Sequence, residues 1–126
     1  MRKSLFFVLL AWVVVACSST GAYESLDNKA FQEILKQDGI QLVDVRTPEE
    51  YGEGHILNAV MINVNDSSFV NLVEDKLDKN KPVAVYCRSG KRSKKASDIL
   101  VEKGYSVYEL KEGMNGWLKD DLPVEK

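Results

Sequence analysis

Short β-branched apolar runs alternate with amphipathic stretches along most of this 126-residue chain, and that alternation restricts the fold more than any other feature. Residues 41–45, 60–64, 82–86 and 105–110 read as strands, each rich in Val, Ile, Leu or Tyr. Between them lie helical patterns. Over 26–36, Ala30, Phe31, Ile34 and Leu35 fall on one helix face, with Asp27 placed to cap it. Phe69, Val70, Leu72, Val73 and Leu77 make a second pattern, Ala96, Ile99 and Leu100 mark a third over 93–103, and 113–119 forms a last short helix bearing Trp117. Asp38-Gly39, Thr47-Pro48 and Gly104 punctuate the order. Strand, helix and strand in succession predict an α/β domain with a central, mainly parallel sheet flanked by helices on both faces. Ligands in such sheets gather outside the carboxyl ends of the strands.

The first residues are predicted to stand apart from that domain. Arg2-Lys3 is followed by an apolar stretch from Leu5 to Val15, which ends at Val14-Val15-Ala16-Cys17. The stretch matches the core of a secretory signal and falls short of the ~20 residues a membrane-spanning helix needs, although an uncleaved anchor is the competing reading. Residues 1–16 are therefore expected to be a signal peptide of the bacterial lipoprotein kind. Residues 17–25 are expected to be a lipidated N-terminus at Cys17 with a small, polar tether, and 26–126 the folded domain. The lipobox resemblance implies export to the periplasm or cell envelope, with the membrane reached through the lipid anchor only.

Removing 1–16 takes away Arg2 and Lys3 but no acid, which leaves 15 basic and 19 acidic side chains, a net charge of −4. That balance argues against a nucleic-acid partner. About 110 residues suffice for one core without a staple. The chain has two cysteines, one at the processing site and one in a loop, so no disulfide is expected and Cys87 is left as a free thiol. One histidine and one available cysteine fall short of a metal-ligand set.

Cys87-Arg88-Ser89-Gly90-Lys91-Arg92-Ser93 sits where the strand at 82–86 gives way to a helix. Backbone N–H groups at a helix start have no intrahelical acceptor and stabilise negative charge nearby, which favours thiolate over thiol. Arg88, Lys91 and Arg92 add positive charge, and such surroundings lower a cysteine pKa from ~8.5 toward ~3.5–7.5. Gly90 can take a positive φ and help build an anion-binding nest. Cys87 is thus predicted to be a nucleophile, against the alternative of a small, inert, buried cysteine.

These residues resemble the active-site loop of the rhodanese-like sulfurtransferases, which usually reads Cys-Arg-x-Gly-x-Arg-Ser. The resemblance extends to Leu42-Val43-Asp44-Val45-Arg46-Thr47-Pro48-Glu49-Glu50-Tyr51, to Gly54-His55-Ile56-Leu57-Asn58-Ala59 and to Glu112-Gly113-Met114-Asn115-Gly116-Trp117. Asn58 stands where the family commonly has Gly, and Asn63 where Pro or Ser is frequent. The resemblance implies a rhodanese-like fold and a single-domain sulfurtransferase of the thiosulfate type. Sulfane sulfur would pass from a donor such as thiosulfate to cyanide or a thiol through a Cys87 persulfide, with no cofactor beyond that covalent intermediate. Small sulfur-containing anions and thiol acceptors would then be its partners.

Arg92 is expected to steady the loop and the donor's anionic end. Arg88 and Lys91 would draw anions to the rim, and Ser89 and Ser93 could contribute hydroxyls, Ser93 equally by capping the next helix. A cysteine-dependent phosphatase is the first alternative, since the cell-cycle dual-specificity phosphatases share this fold. Those enzymes place five residues between nucleophile and arginine, whereas four separate Cys87 from Arg92. The smaller ring suits one added sulfur better than a tetrahedral phosphoryl group. A non-catalytic sulfur-carrier or binding module is the second alternative. His55 is expected to make a structural hydrogen bond, Asp44 to pair with Arg46 or a backbone amide, and Trp117 with Met114 to pack near the loop.

Overall fold

A computed structural model describes residues 22–126. The signal segment 1–16 and the lipidation position Cys17 lie outside the described residues. In chain order the elements are β1 (Glu24–Leu26), α1 (Asn28–Ile34), β2 (Gln41–Asp44), α2 (Pro48–Glu53), β3 (His55–Ile56), β4 (Val60–Met61), α3 (Phe69–Lys76), β5 (Val83–Tyr86), α4 (Lys91–Glu102), β6 (Val107–Leu110), α5 (Gly113–Lys119) and β7 (Val124–Glu125).

Five strands form one sheet in the order β1-β6-β5-β2-β4, every neighbouring pair parallel. The α/β expectation with a parallel centre holds, and so do helices on both faces. Alternating side chains of β5 show why. Val83 and Val85 join Val43, Val45, Phe69, Val73, Ala96 and Leu100 on the face covered by α3 and α4. Ala84 and Tyr86 join Phe31, Leu42, Leu110, Met114 and Trp117 on the face covered by α1 and α5. Period-two alternation with both faces covered requires an unbroken apolar run, and all four β5 residues are buried.

Three details differ from the sequence reading. The tether expected over 17–25 overlaps β1: Glu24, Ser25 and Leu26 pair with Tyr108, Glu109 and Leu110 of β6, so the sheet begins before residue 26. The strand expected over 60–64 shortens to Val60–Met61, because β2 offers only Val43 and Asp44 as partners there. The Thr47-Pro48 break is the start of α2, where Thr47 caps Glu50 N–H and the Glu50 carboxylate accepts from Thr47 N–H. A two-stranded antiparallel pair, β3 with β7, ties the C-terminus to the rest. Among the described residues no helix is long and apolar enough to cross a membrane.

Candidate active site

β5 lies between β6 and β2 at the middle of the sheet, and its carboxyl end delivers Cys87 directly into the turn that starts α4. Asp44 and Arg46 leave the adjacent end of β2. The chain therefore assembles its candidate chemistry at the carboxyl edge of two neighbouring parallel strands, where loops diverge and a ligand can enter.

The turn is held in shape by glycine and by α5. Gly90, the residue before α4, has φ +100, and a Cβ there would be driven into the carbonyl oxygen of Lys111. Gly113 has φ +60, and its Cβ would stand 2.5 Å from the Cys87 carbonyl oxygen. With both positions bare, the α5 amides reach the loop: Met114 N–H donates to Cys87 O and Asn115 N–H to Arg88 O, each at 2.9 Å. Met114 reaches the loop through its amide and Gly113 to Asn115 clamp it, whereas Trp117 packs edge-on against Phe31 and donates from Nε1 to Pro123 O.

The sulfur fills a role that Gly90 has no side chain to perform. Cys87 Sγ accepts from Gly90 N–H at 3.1 Å and from Ser93 N–H at 3.2 Å, and so caps the first turn of α4. The amides the sequence reading aimed at the sulfur are in place. The sulfur is nonetheless buried, as the alternative of a small core cysteine would have it: Cys87 has 0% exposed surface and belongs to the cluster of Val85, Val45 and Ala96.

Arg92 and Arg88 meet a residue that sequence reasoning passed over. Arg92 Nη1 and Nη2 donate to the two Glu50 carboxylate oxygens at 2.7 and 2.9 Å, and Arg88 Nε donates to Oε2 at 3.0 Å. Hydrogen bonding from Arg92 first, then from Thr47 N–H and Arg88 against the opposing effect of burial, holds the Glu50 carboxyl far below the usual carboxylate range. Glu50 raises the Arg92 pKa in return. The steadying part of the Arg92 expectation thus has a physical partner, and the Arg88 guanidinium, half exposed, is bonded to Glu50 rather than free. The Thr-x-x-Glu spacing at 47–50 was the available signal, since it marks a helix start whose Glu turns back toward the loop. Ser89 and Lys91 are exposed.

Ser93 does not serve as the helix cap. It lies inside the first turn, fully buried, with its Oγ 3.4 Å from Cys87 Sγ, 3.1 Å from Gly90 O and 2.5 Å from Glu109 Oε2. Glu109 is a second residue the sequence reading missed. An acid in the middle of the strand pattern at 105–110 was its signal.

Below the loop, Asp44 is fully buried and Arg46 nearly so. Arg46 donates from Nε and Nη2 to the carboxylate, the shorter contact at 2.7 Å, and Tyr86 Oη donates to Oδ2 at 2.7 Å. Arg46 also donates to Gly54 O, and Ile56 N–H donates to Tyr86 Oη. Burial, with Asp44 adding to it, pushes the Tyr86 phenol well above its ordinary value. This network pins the end of β2 to β3 and is scaffold. His55 stacks on Tyr51 at 3.7 Å, with Nδ1 2.9 Å from Tyr51 O and Nε2 3.4 Å from Glu125. Those contacts give it the structural role expected. Asn58, at the position where Gly is common, has φ +72, a left-handed conformation that Asn tolerates better than most residues. Among the described residues no cluster of three or more metal-ligating side chains occurs.

Comparison with known proteins agrees with this architecture. The chain is 32% identical over 94 residues to a protein named sulfurtransferase from Allochromatium vinosum, covering 74% of this chain and 85% of the relative. It has the same identity, over 74% of this chain and 84% of the relative, to a thiosulfate sulfurtransferase GlpE of Actinobacillus pleuropneumoniae. A rhodanese-related protein of Thermoplasma volcanium superposes with a TM-score of 0.71 at 28% identity, over 82% of this chain and 98% of that one. Such relatives support sulfurtransferase chemistry in general. With the rhodanese-like domain family matching residues 27–120, around the Cys87 loop and the parallel sheet that carries it, the chain belongs to that family.

Proposed function

We propose that the protein is a sulfurtransferase of the thiosulfate type that carries sulfane sulfur on Cys87. The observation that bears most weight is the pair of amides, Gly90 N–H and Ser93 N–H, directed at Sγ from the start of a twelve-residue helix. Hydrogen bonds to the charged form favour a thiolate, and the same donors suit the persulfide that replaces it.

In the first half-reaction the Cys87 thiolate attacks the outer sulfur of a donor such as thiosulfate. The donor's S–S bond breaks, sulfite leaves with the electron pair, and a Cys87 persulfide remains. In the second, cyanide or a thiolate attacks the outer sulfur of the persulfide and regenerates the thiolate. Ping-pong kinetics follow from the shared covalent intermediate. Arg92, fixed by Glu50, orients the loop. Arg88 and Lys91 supply the positive rim that draws small anions, and no cofactor takes part. The amides close on the sulfur itself, which favours one added atom over a phosphoryl group.

The decisive experiment is mass measurement after incubation with thiosulfate. One sulfur should be added to wild-type protein and none to Cys87→Ser, with thiosulfate:cyanide transfer abolished in the variant. Activity surviving that substitution would remove Cys87 from the mechanism. Hydrolysis of an aryl phosphate without sulfur uptake would establish the phosphatase, and sulfur uptake without turnover the carrier. The lipobox supports a further part of the proposal: the mature protein begins at a lipidated Cys17 and sits outside the cytoplasm on a membrane. Mass spectrometry of the membrane fraction checks it, and an unmodified Met1 start is the contrary result.

A further inference from the structure

Glu109 is a carboxylate with no exposed surface in the centre of a parallel sheet, a placement that costs several kcal/mol by burial unless the group is partnered. It accepts from Ser25 Oγ of β1 at 2.6 Å and sits 3.4 Å from Lys94 Nζ of α4, whose side chain is half exposed. Its second oxygen lies 2.5 Å from Ser93 Oγ, which in turn lies 3.4 Å from Cys87 Sγ. Gly90 and Ser93 amides donate to Sγ and can take no proton from it. Ser93 Oγ is the acceptor within reach of the thiol proton, and Glu109 is the titratable group that Ser93 touches. His55, the one histidine of the chain, is held by Tyr51 and Glu125 at β3.

We propose that Glu109 is a positioning residue that shares one proton with Cys87 through Ser93, storing it while the sulfur is charged. With the proton on sulfur, Cys87 S–H donates to Ser93 Oγ and Ser93 O–H donates to the Glu109 carboxylate. To form the thiolate, the S–H bond breaks toward Ser93 Oγ as the Ser93 hydroxyl proton passes to Glu109 Oε2. The carboxyl is then neutral, Ser93 O–H points at sulfur, and Sγ has three donors in place of two. No external base or co-reactant is consumed. The proton remains on Glu109 through both half-reactions and returns when the resting thiol re-forms. This role rests on the sulfur-transfer reading, but its first test does not use a sulfur donor.

The groups facing the pair are few. Lys94 lies 3.4 Å from Glu109, Arg92 of the same helix acts on Cys87 through its charge, and Glu50 of α2 pairs with Arg92. Tyr23, ahead of β1, feels Glu109 together with Asp98 of α4. Coupled groups titrate as a pair, so the rate of Cys87 alkylation by iodoacetamide should require two ionisations in wild type. Glu109→Gln keeps the shape, removes the charge and leaves no group that can take up the proton from Ser93. Its alkylation profile, followed at Cys87 by peptide mass, should collapse to one ionisation displaced about one pH unit toward acid, and Ser93→Ala should abolish the effect of the Gln substitution. A Glu109→Gln profile superimposed on wild type overturns the proposal.

A measurement on wild type guards against a variant that fails to fold. A buried protonated-carboxyl band in the infrared should accompany thiolate formation and be absent in Cys87→Ser at neutral pH. The same band in both proteins would also refute the shared proton. If alkylation behaves as stated and no sulfur is taken up from thiosulfate, the relay stands and the donor assignment falls.

Discussion

Glu50→Gln tests whether the loop is held by charge or by shape. The wild-type carboxylate receives two bonds from Arg92 and one from Arg88, with its own side chain 15% exposed, Arg92 26% and Arg88 52%. The Arg88 contact is screened by water and contributes little, on the scale of ~0–1 kcal/mol. The bidentate Arg92 pair is better shielded and charge-assisted, worth about 1.5–3 kcal/mol. Gln keeps one carbonyl oxygen for the Thr47 amide, so the α2 cap survives and the expected loss at neutral pH is about 2 kcal/mol in urea denaturation. Glu50→Ala, which also removes the acceptor for Thr47 N–H while leaving the Thr47 Oγ1 cap on the residue-50 amide, should lose about 1 kcal/mol more. The pH dependence separates charge from packing. The Glu50 pKa is depressed by folding, so its stabilisation is complete above the unfolded value near ~4.3 and is lost as pH falls toward the depressed folded value. The gap between wild type and Glu50→Gln should therefore be full at pH 7 and smaller at about pH 3. A gap equal at both pH values, or absent at pH 7, would refute the electrostatic account.

Further substitutions at Gly113, Gly52 and Asn58 probe the backbone. Gly113→Ala places a methyl 2.5 Å from Cys87 O and 2.6 Å from Arg88 O at φ +60, and should cost about 2 kcal/mol or more while slowing sulfur transfer. Gly52→Ala, in a helix with nothing within 4 Å of the added Cβ, is the control and should be slightly stabilising; equal behaviour of the two variants in denaturation would discount the clamp. Asn58→Ala should lower stability by about 1 kcal/mol because Ala resists the left-handed conformation at φ +72, and Asn58→Gly should not; a thermal melt in which Ala matches Asn would show that the turn relaxes.

What could be read from the chain was what local order encodes. Period-two and helical patterns repeat within a few residues, so β2, β4, β5 and β6, the helices α1, α3, α4 and α5 and the Asp27 cap were legible, as was Cys87 at a strand-to-helix junction, whereas the six-residue α2 was read only as a break at Thr47-Pro48. The Asp44 and Arg46 pairing was also accessible, because an acid in an apolar run demands a partner close by. The short elements were harder. β1 and β7 have three and two residues, too few to show a period, and exist through partners 84 and 68 to 70 positions away along the chain.

Long-range placement decided the rest. Glu50 becomes the anchor of Arg92 only because α2 folds back across the carboxyl end of the sheet, bringing together residues 42 positions apart. Glu109 acquires its link to sulfur because β6 lies beside β5 in register, setting Glu109 opposite Val85, and because α4 crosses back over that strand with Ser93 inward. The closure of the loop over Cys87 belongs to the same class, since it depends on α5 amides and on two glycines meeting backbone from another element. Composition and spacing determine which residues can do chemistry at the strand end; packing between distant segments determines which of them touch the sulfur, since hydrogen bonds and ion pairs act over a few ångströms in space and carry no trace of that distance along the chain.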